Sequence, residues 1–182
     1  MDKQSLIRQA RGGDDAALSE LCRMYHPILT RYFVSLLRTR QGAEDLAQET
    51  LIKMLRSLPN YKSITGKYFE GWLFRIAHNC FIDLKRKKAD AELPETYDPP
   101  DPGGGAEDRL IASEKALAVR QAVNELDEES RAMVTMRYEL ELDYKSIALA
   151  LNTTPNRVKW RLNDAKAKLK RTLEKEGFEW TN

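Results

Sequence analysis

Cysteine, histidine and long apolar runs are nearly missing from this chain, and each shortage removes a class of function. Its two cysteines, Cys22 and Cys80, lie far apart without Cys-x-x-Cys spacing. A disulfide framework is therefore not indicated, and both thiols are expected to be reduced and buried. The two histidines, His26 and His78, supply neither a nucleophile-base pair nor a ligand set. Cys22 and His26 have metal-like i, i+4 spacing, but Tyr25 and Pro27 beside them in an apolar helical stretch favour packing over zinc. No glycine loop suited to cradling phosphate is present. No apolar run approaches the roughly 20 residues that cross a bilayer, and the amino-terminal MDKQSLIRQARGG lacks the apolar centre of a signal peptide. These shortages lead us to expect a cytoplasmic protein with no covalent chemistry, cofactor, metal or membrane insertion.

Charge is abundant but segregated. The net +2 combines +7 over residues 1–89, −7 over residues 90–108 and +2 over residues 109–182. Two basic regions flanking an acidic spacer suit a protein that touches nucleic acid at two places. The segment DAELPETYDPPDPGGGA (90–106), with four prolines and three successive glycines, cannot be helical and reads as a linker. It divides the chain into a domain at 1–89, a linker at 90–108 and a domain at 109–182. Alternating strand patterns are absent from both domains, so the expected fold class is all-α.

Helix punctuation predicts elements over 5–11, from Asp14 or Asp15 to Leu37 with a kink or division at Pro27, over 43–58 after a break at Gly42, and over 69–88. In the second domain, helices are expected near 107–124, 128–138, 144–151 and 155–174. Leu126, Met133, Met136 and Tyr138 are expected in its core.

Three segments carry more than a core. In FEGWLFRIAHNCFIDLKRKK, one stripe holds Phe69, Leu73, Ile76, Ala77, Cys80 and Leu84, the expected buried face. A neighbouring stripe gathers Trp72, Arg75, Asn79, Asp83 and Arg86. An indole, a guanidinium and an amide in one row can stack on a base, pair with phosphate and read a base edge, the equipment for unpaired strands. The alternative is a solvated face with a cationic last turn complementing the helix dipole. In GAEDLAQETLIKMLRSL, the residues Asp45, Gln48, Glu49 and Ile52 share a face apart from the buried one. That strip suits a partner helix bearing arginine, and its alternative is again plain solvation.

The third segment is LDYKSIALALNTTPNRVKWRLNDAKAKLKR. Ile147, Ala148 and Leu151 face inward from one short helix, Asn152-Thr153 makes the turn, and Thr154 caps a helix with Pro155 first. Val158 and Leu162 point in. This is helix-turn-helix spacing, with Asn156, Arg157, Lys159, Trp160 and Asn163 placed to reach a major groove and Lys166, Lys168 and Lys170 to meet phosphate.

Taken in order, these segments resemble the sigma factors of bacterial RNA polymerase, in the extracytoplasmic-function group of the sigma-70 family. AEDLAQETLIKML resembles its polymerase-docking helix, GWLFRIAHNCFIDLKRKK its promoter-melting and −10-reading helix, and LDEESRAMVTMRYELELDYKSIALALN with PNRVKWRLNDAKAKLK its −35 domain. The resemblance implies that Asp45, Gln48, Glu49 and Ile52 meet core RNA polymerase. It implies a flipped-base pocket from Tyr61, Lys62, Lys67 and Tyr68, strand contacts from Trp72, Arg75 and Asn79, and phosphate contacts from Arg86, Lys87 and Lys88. It places Asn156, Arg157, Lys159, Trp160, Asn163 and Lys166 on the −35 element, and implies an anti-sigma factor as a further partner. The linker corresponds to a connector directed toward the polymerase's RNA channel. Departures stand in the −35 helix: Arg157 replaces a common Thr, Trp160 a small polar residue, and Asn163-Asp164 a His or aromatic followed by Arg. Asp164 is expected to pair with Lys168 instead of facing phosphate. A stand-alone helix-turn-helix regulator is the alternative; it leaves the first two segments unexplained.

Overall fold

The computed structural model describes residues 2–37, 39–62, 68–90 and 114–178, which hold helices and no strand, so the all-α expectation stands among the described residues. Residues 91–113, with nearly all of the expected linker and the start of the helix expected from Glu107, lie outside the described residues, as does Lys67 of the expected pocket. No described helix is long and apolar enough to cross a membrane.

The first unit has four helices. Helix α1 (Lys3–Arg11) stops at Gly12-Gly13, where Gly13 takes φ +89°, a conformation without a Cβ penalty only for glycine. Asp14 Oδ1 then accepts the Ala17 N–H at 2.7 Å and starts α2 (Asp15–Leu37). Of the kink or division expected at Pro27, the division does not occur: α2 runs through it. Pro27 is exposed, while Leu21, Tyr25, Leu29, Tyr32 and Phe33 are buried on both sides of it, so core packing holds the two halves together. Gly42 likewise does not break the chain. It lies in the first turn of α3 (Arg40–Ser57), where few intrahelical bonds depend on the residue. A short 3₁₀ turn (Leu58–Asn60) precedes α4 (Phe69–Asp90), so Asp90 closes a helix and does not open the linker.

The second unit comprises α5 (Glu114–Asn124), α6 (Glu128–Val134), α7 (Tyr144–Ala150) and α8 (Pro155–Lys175). Asp127 caps α6 through the Ser130 N–H at 3.0 Å, and Asp143 caps α7 through the Ser146 N–H at 2.6 Å. Beyond α6 the chain widens into a π turn over Thr135–Glu139. That winding keeps Met136 buried but turns Tyr138 outward, 59% exposed, which corrects its expected place in the core. Leu126 and Met133 are buried as expected.

The two units pack on each other, chiefly α4 against α7 and the end of α2 against α6. This explains why α4 buries Gly71; Phe74, edge-on to Tyr32 of α2 at 5.2 Å, and Phe81 are buried in addition to Phe69, Leu73, Ala77 and Cys80, while Ile76 and Leu84 are only half-buried. A Cβ on Gly71 would lie 2.9 Å from the Ser146 carbonyl oxygen. The Arg131 guanidinium, buried at this seam, donates to the carbonyls of Leu126 (2.7 Å), Asn124 (3.1 Å) and, across it, Ser35 (3.5 Å). Thr135 Oγ1 donates to Ser35 Oγ at 3.1 Å, and Lys85 Nζ pairs with Glu128 at 2.6 Å.

Candidate nucleic-acid interface

On α3, the strip foreseen from spacing is presented to solvent: Asp45 and Gln48 are exposed, Ile52 is 49% exposed and Glu49 is half-buried. Glu49 is not a free charge. Its carboxylate holds Lys53 Nζ at 2.8 Å, and this hydrogen bond keeps the lysine more basic than usual. Lys53 also reaches Asp83 of α4 at 3.8 Å, so the α3 strip borders the α4 surface.

Along α4, Arg75 and Asn79 are exposed and Trp72 is half-buried. The indole rests on an aromatic bed, with ring centroids 4.7 Å from Tyr61 and 5.4 Å from Phe69. Phe69 in turn meets Tyr25 at 5.4 Å and Tyr61 edge-on at 5.6 Å. The Tyr25 hydroxyl donates to Glu70 at 2.8 Å, and Glu70 also takes Lys3 at 2.7 Å, tying α1 and α2 to the first turn of α4. Burial, reinforced by the Glu70 charge, pushes the Tyr25 phenol well above its ordinary pKa, so it stays a donor.

This arrangement revises one expected site residue. Tyr61 is only 6% exposed and belongs to the core behind Trp72, so it offers no open face to a base. The reason is local: the 3₁₀ turn with Pro59 directs Tyr61 inward against Phe69. Lys62 is exposed and Tyr68 half-buried at the two ends of the intervening loop. At the far end of α4, Arg86 pairs with Asp83 at 3.2 Å, and Lys87 and Lys88 are exposed.

The helix-turn-helix follows its punctuation closely. Ile147 and Ala148 are buried on α7, with Leu151 half-buried beside the turn. Asn152 adopts φ +51°, the left-handed conformation that asparagine tolerates. Thr154 Oγ1 accepts the Arg157 N–H at 3.3 Å, and Val158 and Leu162 are buried beneath α8. Asn156, Arg157, Lys159, Trp160, Asn163 and Lys166 are all exposed, Trp160 by 64%. Asp164 meets Lys168 at 3.0 Å, as its spacing predicts.

Two functional supports escaped the sequence reading. Glu129 of α6 bonds Arg161 at 2.5 Å and Arg157 at 3.5 Å, bracing the start of α8. Asp127 adds a longer contact to Arg161 at 3.9 Å. Burial opposes ionisation of Asp127, but the Ser130 N–H and hydroxyl and the Arg161 charge outweigh it, leaving the carboxyl below its usual range. The run Asp127-Glu128-Glu129 reads as helix-start chemistry, which conceals a partner 28 residues on. Gly71 is the other; glycine inside a strongly apolar helix was the available sign of close backbone approach.

Comparison with known proteins finds a family match in each of the two units. The family described as Sigma-70 region 2 matches residues 21–90, and the family described as Sigma-70, region 4 matches residues 116–169. The extracytoplasmic-function RNA polymerase sigma factor ShbA of Streptomyces griseus is 30% identical over an alignment covering 93% of this chain and 94% of that one. Among solved structures, CnrH in complex with the cytosolic domain of CnrY superposes with TM-score 0.70 at 22% identity, covering 94% of this chain and 96% of the other. The sigma factor RpoE of Bartonella quintana, in complex with the anti-sigma factor NepR, gives 0.69 at 22% identity, over 86% of this chain and 96% of that one. These two likenesses establish a shared fold.

Proposed function

Because the chain belongs to the extracytoplasmic-function group of RNA polymerase sigma factors, we propose a division of its promoter-directing work among three surfaces. The α3 strip of Asp45, Gln48, Glu49 and Ile52 docks on core polymerase. Trp72, Arg75 and Asn79 hold the −10 strands as they separate, with Lys62 and Tyr68 at the entrance and Arg86, Lys87 and Lys88 on phosphate. The exposed face of α8 reads the −35 element in the major groove. Residues 1–90 and 109–182 form the two working domains, and 91–108 joins them.

The observation that carries this reading is the placement of Trp72. A half-buried indole on a packed aromatic bed, flanked outward by Arg75 and Asn79, is a fixed stacking platform. A helix-turn-helix protein that only binds duplex has no use for one beside a polymerase-facing strip. The chain works in the cytoplasm as an initiation factor and performs no covalent step itself. An anti-sigma factor is its expected restraint, as the complexed state of the Bartonella relative suggests.

Run-off transcription with purified core polymerase and randomised promoter fragments tests the reading. Initiation that depends on this protein and enriches two short elements at fixed spacing supports it. Tight duplex binding by the protein alone, with no stimulation of polymerase, replaces it with the regulator.

A further inference from the structure

The first turn of α8 carries a charge of the wrong sign. Its amino terminus, with the positive end of the helix dipole, contains no acidic residue and does contain Arg157. The compensating anion comes from another helix. Glu129 of α6 takes Arg161 Nη2 at 2.5 Å with one oxygen and Arg157 Nη2 at 3.5 Å with the other. The two arginines differ in freedom. Arg161 is pinned, its side chain only 24% exposed and also facing Asp127 at 3.9 Å. Arg157 is 57% exposed and touches the carboxylate with one edge only.

We propose that Glu129 is a positioning residue for promoter reading: it holds one edge of the Arg157 guanidinium so that the other faces a guanine in the major groove. This rests on the assignment of α8 to the −35 element made above. Arginine has five donors in a planar fork, and a single carboxylate contact leaves enough of them to bridge guanine O6 and N7. Restricting a long side chain before DNA arrives lowers the entropy lost on binding. A carboxylate at that place also repels phosphate, so Glu129 sharpens base choice while weakening indiscriminate attraction. Arg157 and Glu129 therefore act as a unit, and Lys159, two residues on and turned to another side of the helix, has no comparable brace among the described contacts.

The test uses the full chain assembled with core polymerase on promoters randomised across the −35 element. Wild type, Glu129→Gln, Glu129→Asp, Arg157→Lys and Arg157→Ala are compared by initiation frequency at low and moderate salt, with thermal unfolding as a check on folding. The expected result is a guanine preference at one position, of about 5- to 150-fold as for a good bidentate pair, lost in both Arg157 variants. Glu129→Gln then lowers that same preference severalfold while initiation from poor −35 sequences rises at low salt, and Glu129→Asp restores part of the preference.

Three results overturn the inference while leaving the assignment of α8 in place. Preference retained in Glu129→Gln but lost in Arg157→Lys leaves Arg157 as an unaided reader. Uniform loss over all −35 positions makes Glu129 a structural brace acting through Arg161. A wild-type protein with −35 preferences indifferent to Arg157 removes the pairing altogether. If instead no −35 position matters in wild type, the assignment of α8 itself fails, and the inference with it.

Discussion

The two surfaces proposed to meet nucleic acid are built by opposite means. On α4 the proposed stacking group, Trp72, is rooted in the core through Tyr61 and Phe69, and only part of it reaches solvent. On α8 the groups stand exposed, Trp160 by 64%, on a helix anchored by its apolar side and, at its start, by Glu129 through Arg161. The difference follows from the substrates. A base leaving its stack has lost a partner on each face, and a rigid ring can replace one of them. A closed duplex offers only edges and phosphates, which a protruding, capped helix end reaches best. The α4 surface depends on packing, whereas the α8 surface depends on caps and charge.

Truncation at each surface should separate these modes, most strongly at Trp72. Trp72→Ala removes a stacking platform of about 1–3 kcal/mol per base. Promoter opening, read by permanganate reactivity of unpaired thymines, should fall about 5- to 150-fold, with affinity for core polymerase changed far less. Equal loss of both would assign Trp72 to the fold alone.

The next effect lies where the units meet. Alanine in place of glycine inside a helix ordinarily gains about 1 kcal/mol. At Gly71 the new Cβ would lie 2.9 Å from a backbone oxygen of Ser146, a contact neither partner can relieve by rotating a side chain. Overpacking of this kind costs about 1–3 kcal/mol. Gly71→Ala should therefore loosen the seam while strengthening α4 itself. Small-angle scattering should show an expanded chain, and hydrogen exchange should rise on α7 while that of α4 is kept. An unchanged radius and unchanged exchange on α7 would show that the seam yields without separating.

A smaller and more local change is expected from Thr154→Ala. Loss of an N-cap costs about 1 kcal/mol, here at the start of α8, where Thr154 Oγ1 accepts the Arg157 N–H. Response to −35 mutations should weaken severalfold, and opening of a promoter already held at its −10 element should not change. If opening falls equally, α8 and α4 are more tightly coupled than their separate construction suggests.

Much of this was legible in the chain, and the failures have a common cause. Local rules placed one cap at Asp14 or Asp15, which the structure resolves as Asp14, the other at Thr154, the left-handed turn at Asn152 and the Asp164–Lys168 pair, because each depends on neighbours within a few residues. What escaped reading depends on distant partners. Gly71 is buried on a face of α4 that lies against Ser146 and Leu149 of α7. Tyr61 sits in an aromatic cluster assembled from three segments, and Pro27 is carried through α2 by core contacts on both sides. Glu129 looks like any acidic residue in a first helical turn until α8 is laid beside it.

The smallest expected effect concerns His78, which lies between the two surfaces. Its Nδ1 is 3.2 Å from the Tyr32 hydroxyl, and burial lowers its pKa from the ordinary 6.5, with Glu129 and Glu128 across the seam opposing part of that shift. Below pH 6.5 the unfolded chain takes up a proton that the folded chain still refuses. The stability contributed by neutral His78 is therefore full above that pH and declines as pH falls through the lower folded value. Asp127, also lowered, produces a separate loss below its ordinary 3.8. Urea unfolding against pH should thus show a shallow upper step and a distinct acid one. His78→Gln, which cannot titrate, should flatten only the upper step. Persistence of that step in the variant would transfer it to another group. Its disappearance together with increased exchange on α6 would show that the Tyr32–His78 contact helps hold α6 against α2.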